Sequence, residues 1–354
     1  MTQQLDLFAD LAADNTPVPS TFTTAPEPPA QRAPAPTPAG AAPQAARRTG
    51  LPHLPADPHG RALEIGEAVA ARWHNLHGGS DIQVPIGVVA ALCLIREKDP
   101  QGPDLRAQIL TQDGSQLVAM IREIWSTQWI YRPDLIERAR ILHEWLNDDV
   151  DHRRETAVRA VAETALKRGL FDLTAHEDPY LRSATDVLSL VMTSLRSSGA
   201  RKGLGEYHTP APVAEAMSEV VNHGILAEVQ LAVQDLKQRQ HIHDPCAGSG
   251  GLLRAAAQSI RERGGDPADF RWSMVDIDPI AAACAAVNAM VWSLGPHVTV
   301  ACADALATPN AVEEAMEQAR AVFAHRDEVL GRARIFAALH QAQSLMDSAL
   351  ADAA

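Results

Sequence analysis

The sequence predicts an α/β protein in which a doubly wound parallel sheet follows an all-helical domain and a disordered N-terminal tail. Three observations carry this reading. Residues 1–60 hold 12 of the 24 prolines. Residues 61–200 repeat apolar side chains at helical spacing. From about Gly205, short apolar stretches alternate with alanine-rich helical ones, the order of parallel strands joined by crossover helices. A chain of 354 residues is long enough for one or two domains with real cores, and 46% hydrophobic with 21% charged residues suits a globular protein in water.

The tail spans residues 1–60. Between about Asn15 and Pro58 it is rich in Pro, Ala and Thr without apolar periodicity, so it cannot bury enough surface to offset the entropy of ordering. Near its start, Gln4-Leu5-Asp6-Leu7-Phe8 combines a Leu-Phe pair that can fill an apolar pocket with a glutamine that can hydrogen-bond at its rim. The other reading is a chance apolar patch or a nascent helix. In the helical domain, 61–200, Ile65, Val69, Trp73 and Leu76 share one helical face. Leu135, Ala139, Leu142 and Leu146 repeat that spacing after Pro133, a residue suited to a first turn. A third helix is expected from Ser183 to Ser197, and Gly78, Gly79, Gly102 and Pro103 mark turns.

Region 201–310 carries the sheet. "QHIHDP", "RWSMVDIDP" and "VTVACAD" predict strands, with helices at about Gly251–Arg263 and Pro279–Leu294 between them. Thr209 and Pro210 suit the cap and first turn of a helix at Ala211–Asn222. Region 311–354 reads as helix. Its Ile335, Leu339, Ala342, Met346 and Ala349 alternate spacings of four and three, a heptad-like stripe that packs on its own domain or on a partner chain.

Charge and cysteine usage narrow the function classes. A net charge of −13, with Arg196, Arg201 and Lys202 as the best local cluster of cations, does not indicate strong stand-alone affinity for DNA. Cys93, Cys246, Cys284 and Cys302 are scattered without C-x-x-C spacing, which argues against zinc or a disulfide framework and for small buried side chains. No apolar run is long enough to span a bilayer, and no basic-then-apolar leader opens the chain, so the expected place is the cytoplasm with no membrane partner.

The chemistry concentrates in Asp244-Pro245-Cys246-Ala247-Gly248-Ser249-Gly250-Gly251, a turn from strand to helix. Glycines there admit close approach of a ligand to the backbone, and the helix start offers free amides. Alone, this is equally the pattern of an ordinary strand-to-helix turn. Asp276 and Asp304 end the next two strands, at the carboxyl edge where ligands of open α/β sheets bind. One suits ribose hydroxyls and the other an adenine amino group, because carboxylates accept several hydrogen bonds. Each acid alone could be a helix N-cap; together they favour a nucleoside ligand. Tyr207, just before the Thr209-Pro210 pair, could contact that ligand or belong to a simple cap.

"GEYHTP", "DPCAGSGGLL", "VDIDP" and "ACADAL", in this order over Gly205–Leu306, resemble the methylation subunit of type I restriction-modification systems, a group of adenine-specific (N-6) DNA methyltransferases. The resemblance implies a class I, Rossmann-like methyltransferase domain with S-adenosylmethionine as cofactor. It places Tyr207, Thr209 and Pro210 in the first cofactor motif, Asp244, Gly248 and Gly250 around the methionine part, Asp276 on the ribose and Asp304 near the adenine. A loop of this kind would not hold a pyrophosphate, so a nicotinamide cofactor fits less well. The family continues with a fourth strand and an Asn-Pro-Pro-aromatic motif that grips the flipped base. Ala307–Ala354 holds none, and Thr308-Pro309-Asn310 has the wrong order and no aromatic ring. The domain is therefore expected to be truncated, with no catalytic residue named. It either methylates adenine in DNA with help from another subunit, or is a cofactor-binding adaptor that acts through partners. The pentapeptide Gln4–Phe8 resembles the binding motif for the bacterial sliding clamp, which adds that clamp as an expected partner.

Overall fold

Aspartates decide where most of the helices begin. The computed structural model describes residues 53–97, 102–196, 213–219 and 240–352. Asp57 accepts a hydrogen bond from the Gly60 amide and opens α1 (Pro58–Leu76). Asp104 does the same for α3 (Leu105–Leu110), and Asp113 forms a reciprocal capping box with Gln116 at the start of α4 (Gly114–Tyr131). Asp151, Asp178 and Asp186 open α6 (His152–Lys167), α8 (Pro179–Arg182) and α9 (Val187–Leu195). Between these lie α2 (Gln83–Cys93), α5 (Pro133–Arg138) and α7 (Leu170–Thr174). Helix α2 is apolar nearly all round and is buried on all sides, as such a pattern demands. Helix α1 buries Ile65, Val69 and Trp73 against α9 and α6.

Two helical expectations change. The repeat from Leu135 to Leu146 is not one helix: α5 stops at Arg138, and two 3-10 turns, Arg140–Leu142 and Glu144–Leu146, follow. Leu135, Ala139, Leu142 and Leu146 are nonetheless all buried. The spacing reported which side chains face inward, and tighter turns satisfy the same spacing. The helix expected from Ser183 starts at Val187, because the Asp186 side chain takes the Ser189 amide at 2.9 Å and ends the preceding turn.

The sheet has three parallel strands in the order of the chain: β1 (His241–Asp244), β2 (Arg271–Asp276) and β3 (Val298–Cys302). Register pairs Asp244 with Met274, and Asp276 with Cys302. Helices α10 (Gly251–Glu262) and α11 (Pro279–Val291) are the crossovers. One sheet face sends Trp272, Met274, Val298 and Val300 into the main core. The other buries Val275 and Ala301 under Ala311 and Ala315, at the start of α12 (Ala311–Asp352). Strand β3 is followed by that one helix, and no fourth strand occurs among the described residues.

Packing runs across the change in secondary structure near residue 200. Residues 45–354 form one compact unit. The alanine-rich α11 makes this possible: its residues from Ala281 to Ala289 are buried, and small side chains let it touch α2, α5 and α9 as well as β2 and β3. Guanidinium groups meet the outer edge of β3 and the turn before it, with Arg138 Nε donating to the Val300 carbonyl at 3.0 Å and Arg132 Nη1 to the Gly295 carbonyl at 3.0 Å. Buried arginines from both parts join them further. Arg182 Nε donates to the Val291 carbonyl at 2.8 Å, and Arg254 Nη1 donates to the Ser183 carbonyl at 2.8 Å. Residues 1–60 as an N-terminal tail are an expectation that lies largely outside the described residues.

Candidate functional site

Strand β1 delivers Asp244 to the carboxyl edge of the sheet. Its Oδ1 accepts the Cys246 amide at 3.0 Å, which turns the chain out of the strand. Its Oδ2 is buried and has no hydrogen-bond partner among the described residues, although the whole residue is only 8% exposed. Burial pushes the Asp244 carboxyl above the usual carboxylate range, against the lowering effects of the Cys246 hydrogen bond and of His243, and the negative Asp276 adds to the rise. A buried, unsatisfied acceptor is expensive to keep, at about 1–3 kcal/mol, and marks a place where a donor is missing.

The loop after Asp244 is held in position by β2. The Ala247 amide donates to the Val275 carbonyl at 2.9 Å, and the Gly248 amide to Asp276 Oδ2 at 2.7 Å. Gly248 and Gly250 both have left-handed backbones, with φ of +56° and +95°. They differ in their surroundings. A Cβ on Gly250 would lie 3.2 Å from the Met274 sulfur and 3.3 Å from the Trp292 ring, whereas a Cβ on Gly248 would meet none of the described residues within 4 Å. Gly250 is needed for packing, and Gly248 leaves space beside the loop backbone.

Asp276 does more than end a strand. Besides Gly248, its Oδ1 accepts the Asp278 amide at 2.9 Å, so the carboxylate ties the loop to the start of α11. Two oxygens with one bond each still keep free lone pairs for a ligand. Ile277, next in the chain, is 63% exposed, an unusual position for an isoleucine. Asp304 lies beyond the end of β3 and not on its last residue. It is exposed, accepts the Leu306 amide at 2.9 Å, and follows Ala303, whose amide bonds the Asp276 carbonyl at 3.0 Å. The structure thus brings Asp244, Gly248, Gly250 and Asp276 into one hydrogen-bonded loop, with Asp304 at the neighbouring strand end. Tyr207, Thr209 and Pro210 lie outside the described residues, as do Gln4, Leu5, Asp6, Leu7 and Phe8.

A supporting group escaped the sequence reading. Asp186 accepts the Ser249 hydroxyl at 2.7 Å and the Asn288 amide at 2.9 Å, in addition to capping α9. Asn288 also donates to the Ser249 carbonyl at 2.9 Å. Burial raises the Asp186 carboxyl, and these hydrogen bonds pull the other way. The Gly-rich loop is therefore anchored on one side by β2 and on the other by a carboxylate from the helical region. The cap itself was visible in Thr185-Asp186-Val187, an acid before an apolar run, but its distant partners were not.

Two smaller expectations are corrected here. Arg196 is not a surface cation: its side chain is buried and paired with Asp278. Cys93 and Cys284 are buried as expected, but Cys246 is exposed on the loop. No group of three or more metal-binding side chains occurs among the described residues. No helix there is long and apolar enough to cross a membrane.

Acids at three successive strand ends make this edge negative. It suits donors and cations and opposes phosphates. Parallel strands, a glycine turn and strand-end carboxylates together define an α/β protein with an acidic carboxyl edge to its sheet. Residues 186–325 match the family model described as N-6 DNA Methylase, so this segment is similar to that family. The match begins at Asp186, the residue that anchors the loop, and runs into α12. Among curated proteins no match to the sequence was found.

Proposed function

We propose that the chain binds S-adenosylmethionine at the carboxyl edge of its sheet and contributes that site to adenine methylation in DNA. The observation that carries this reading is the buried Oδ2 of Asp244, unpartnered among the described residues, on the same loop as Gly248, where a Cβ would meet none of them within 4 Å. When bound, the cofactor supplies a methyl group activated by a positively charged sulfur. The residues present fit it. Asp244 accepts from the ammonium of the methionine part, and Gly248 admits close approach to the backbone. Asp276 offers its remaining lone pairs to ribose hydroxyls, Ile277 gives an apolar surface for the base, and Asp304 accepts from the adenine amino group. Tyr207, Thr209 and Pro210 complete the site on the family pattern. A negative edge favours this cationic ligand over a dinucleotide with its pyrophosphate.

A second reading is favoured by the segment after β3. Residues 311–352 are one helix, and residues 305–354 hold no Asn-Pro-Pro-aromatic sequence. In this reading the chain is a cofactor-holding subunit akin to the methylation subunit of type I restriction-modification systems, and another chain grips the base and supplies most of the contact with DNA. The cytoplasm is the compartment proposed for such a protein. The pentapeptide Gln4–Phe8 is proposed to contact the bacterial sliding clamp, and exchanging Leu7 and Phe8 for Ala should abolish capture by immobilised clamp.

Calorimetry with S-adenosylmethionine and its demethylated product tests the first statement. Binding is expected, and Asp276→Ala should weaken it by about 1–3 kcal/mol. Absence of heat at millimolar ligand overturns it. Transfer of labelled methyl groups to mixed-sequence DNA then separates the readings. Turnover by the purified chain alone supports an independent enzyme, and turnover only with a partner supports the subunit.

A further inference from the structure

We propose that the distal part of α12 is a self-association surface whose occupant is a second copy of this chain. The helix is 42 residues long, about 63 Å at the usual rise, and only its first part is held by the body. Ala311 and Ala315 pack on the sheet, and Arg138 Nη2 donates to Gln318 Oε1 at 3.0 Å. The outermost ties are His325 edge-on to Trp129, with ring centroids 6.1 Å apart, and Arg326 Nη1 donating to the Ile130 carbonyl at 3.1 Å.

Beyond these anchors the helix should turn polar if water were its only neighbour. It does the opposite. Every residue from Arg334 to Met346 is exposed, and Ile335, Phe336, Leu339, Leu345 and Met346 are each between 61% and 70% exposed. Ile335, Leu339, Ala342 and Met346 follow a 4-3-4 spacing that places them on one stripe, with Phe336 and Leu345 on its two margins. A contiguous apolar surface of this kind marks an interaction site.

Charge identifies the occupant. Residues 335–346 contain no Asp, Glu, Lys or Arg, in a chain of net charge −13. Helical pairs that select a different partner do so with charged residues flanking the stripe. Here the flanks carry Phe336, Ala338, Gln343 and Leu345, which neither select a charged partner nor repel an identical helix. This neutral segment is where two copies of an acidic chain meet without like-charge cost. Ala342, in the middle of the stripe, lets the two backbones approach closely.

The experiment is sedimentation equilibrium on the full chain over a micromolar range, with the double variant Leu339→Glu/Met346→Glu. The wild type is expected at twice the 38.0 kDa of one chain. The variant places four carboxylates in the seam and should raise the dissociation constant by at least about tenfold, while its melting temperature at low concentration stays unchanged, because both positions are exposed in the single chain. Should the charged variant unfold, Leu339→Ser/Met346→Ser carries the same test. A wild type that stays monomeric throughout overturns the proposal. So does an assembly that persists in both variants, which would place the contact elsewhere.

Discussion

Two buried carboxyls frame the Gly-rich loop, and they are satisfied to different degrees. Asp186 receives the Ser189 amide, the Ser249 hydroxyl and the Asn288 amide. Removing it in Asp186→Ala takes away a helix cap and strands two buried donors, so chemical denaturation should show a loss of about 2–4 kcal/mol. Asp244 has one oxygen with no partner among the described residues. Asp244→Asn removes a buried charge that the unliganded protein cannot use, so its melting temperature should hold or rise while affinity for the cofactor falls. The raised Asp244 carboxyl also sets a pH dependence. A carboxyl raised on folding stabilises the protein fully below the ordinary carboxylate value, and that contribution is lost as pH rises through the raised value. A cationic ligand needs the ionised form, so its affinity should climb through the same window and level off above it. Calorimetry at stepped pH should show this slope in the wild type and a flat profile in Asp244→Asn.

At the scale of elements, the loop separates stability from binding. Gly250→Ala drives a methyl group toward Met274 and Trp292 at a backbone angle that disfavours side chains, and should lower the melting temperature clearly. Gly248→Ala costs about 1–2 kcal/mol in backbone conformation, with no clash among the described residues, and places its methyl in the space beside the loop backbone. Its larger effect should be on cofactor affinity, read by the same titration. These elements were legible in the sequence because their signals are local. Asp244, Gly248 and Gly250 lie in one turn, the strand before Asp276 carries apolar residues up to an acid, and Asp278-Pro279 marks the cap and first residue of α11. Asp186 was not legible as an anchor, because Ser249 and Asn288 lie 63 and 102 residues away from it and local pattern carries no information on such pairing. The helix type around Leu142 was hidden for a related reason: burial repeats in 3-10 turns nearly as it does in an α-helix.

At the scale of the whole molecule, helical region and sheet share one interior, built on small side chains and buried arginines. Arg182 reaches the Val291 carbonyl and the Ser293 hydroxyl at the end of α11, while Arg254 reaches back to the Ser183 carbonyl from α10. Ser183 Oγ donates to Gln258 Oε1 at 2.8 Å. Charged and polar groups of this kind are tolerated in an interior only while every partner is present. That has a practical meaning for anyone cutting the gene. Neither the helical portion nor the sheet portion is a free-standing module, since each exposes guanidinium groups or backbone acceptors that only the other satisfies. Expressed separately, residues 53–212 and 213–354 should each be poorly soluble. Produced together, they should find one another and restore a cooperative melt, which makes this junction a natural place to divide the protein into two complementing fragments.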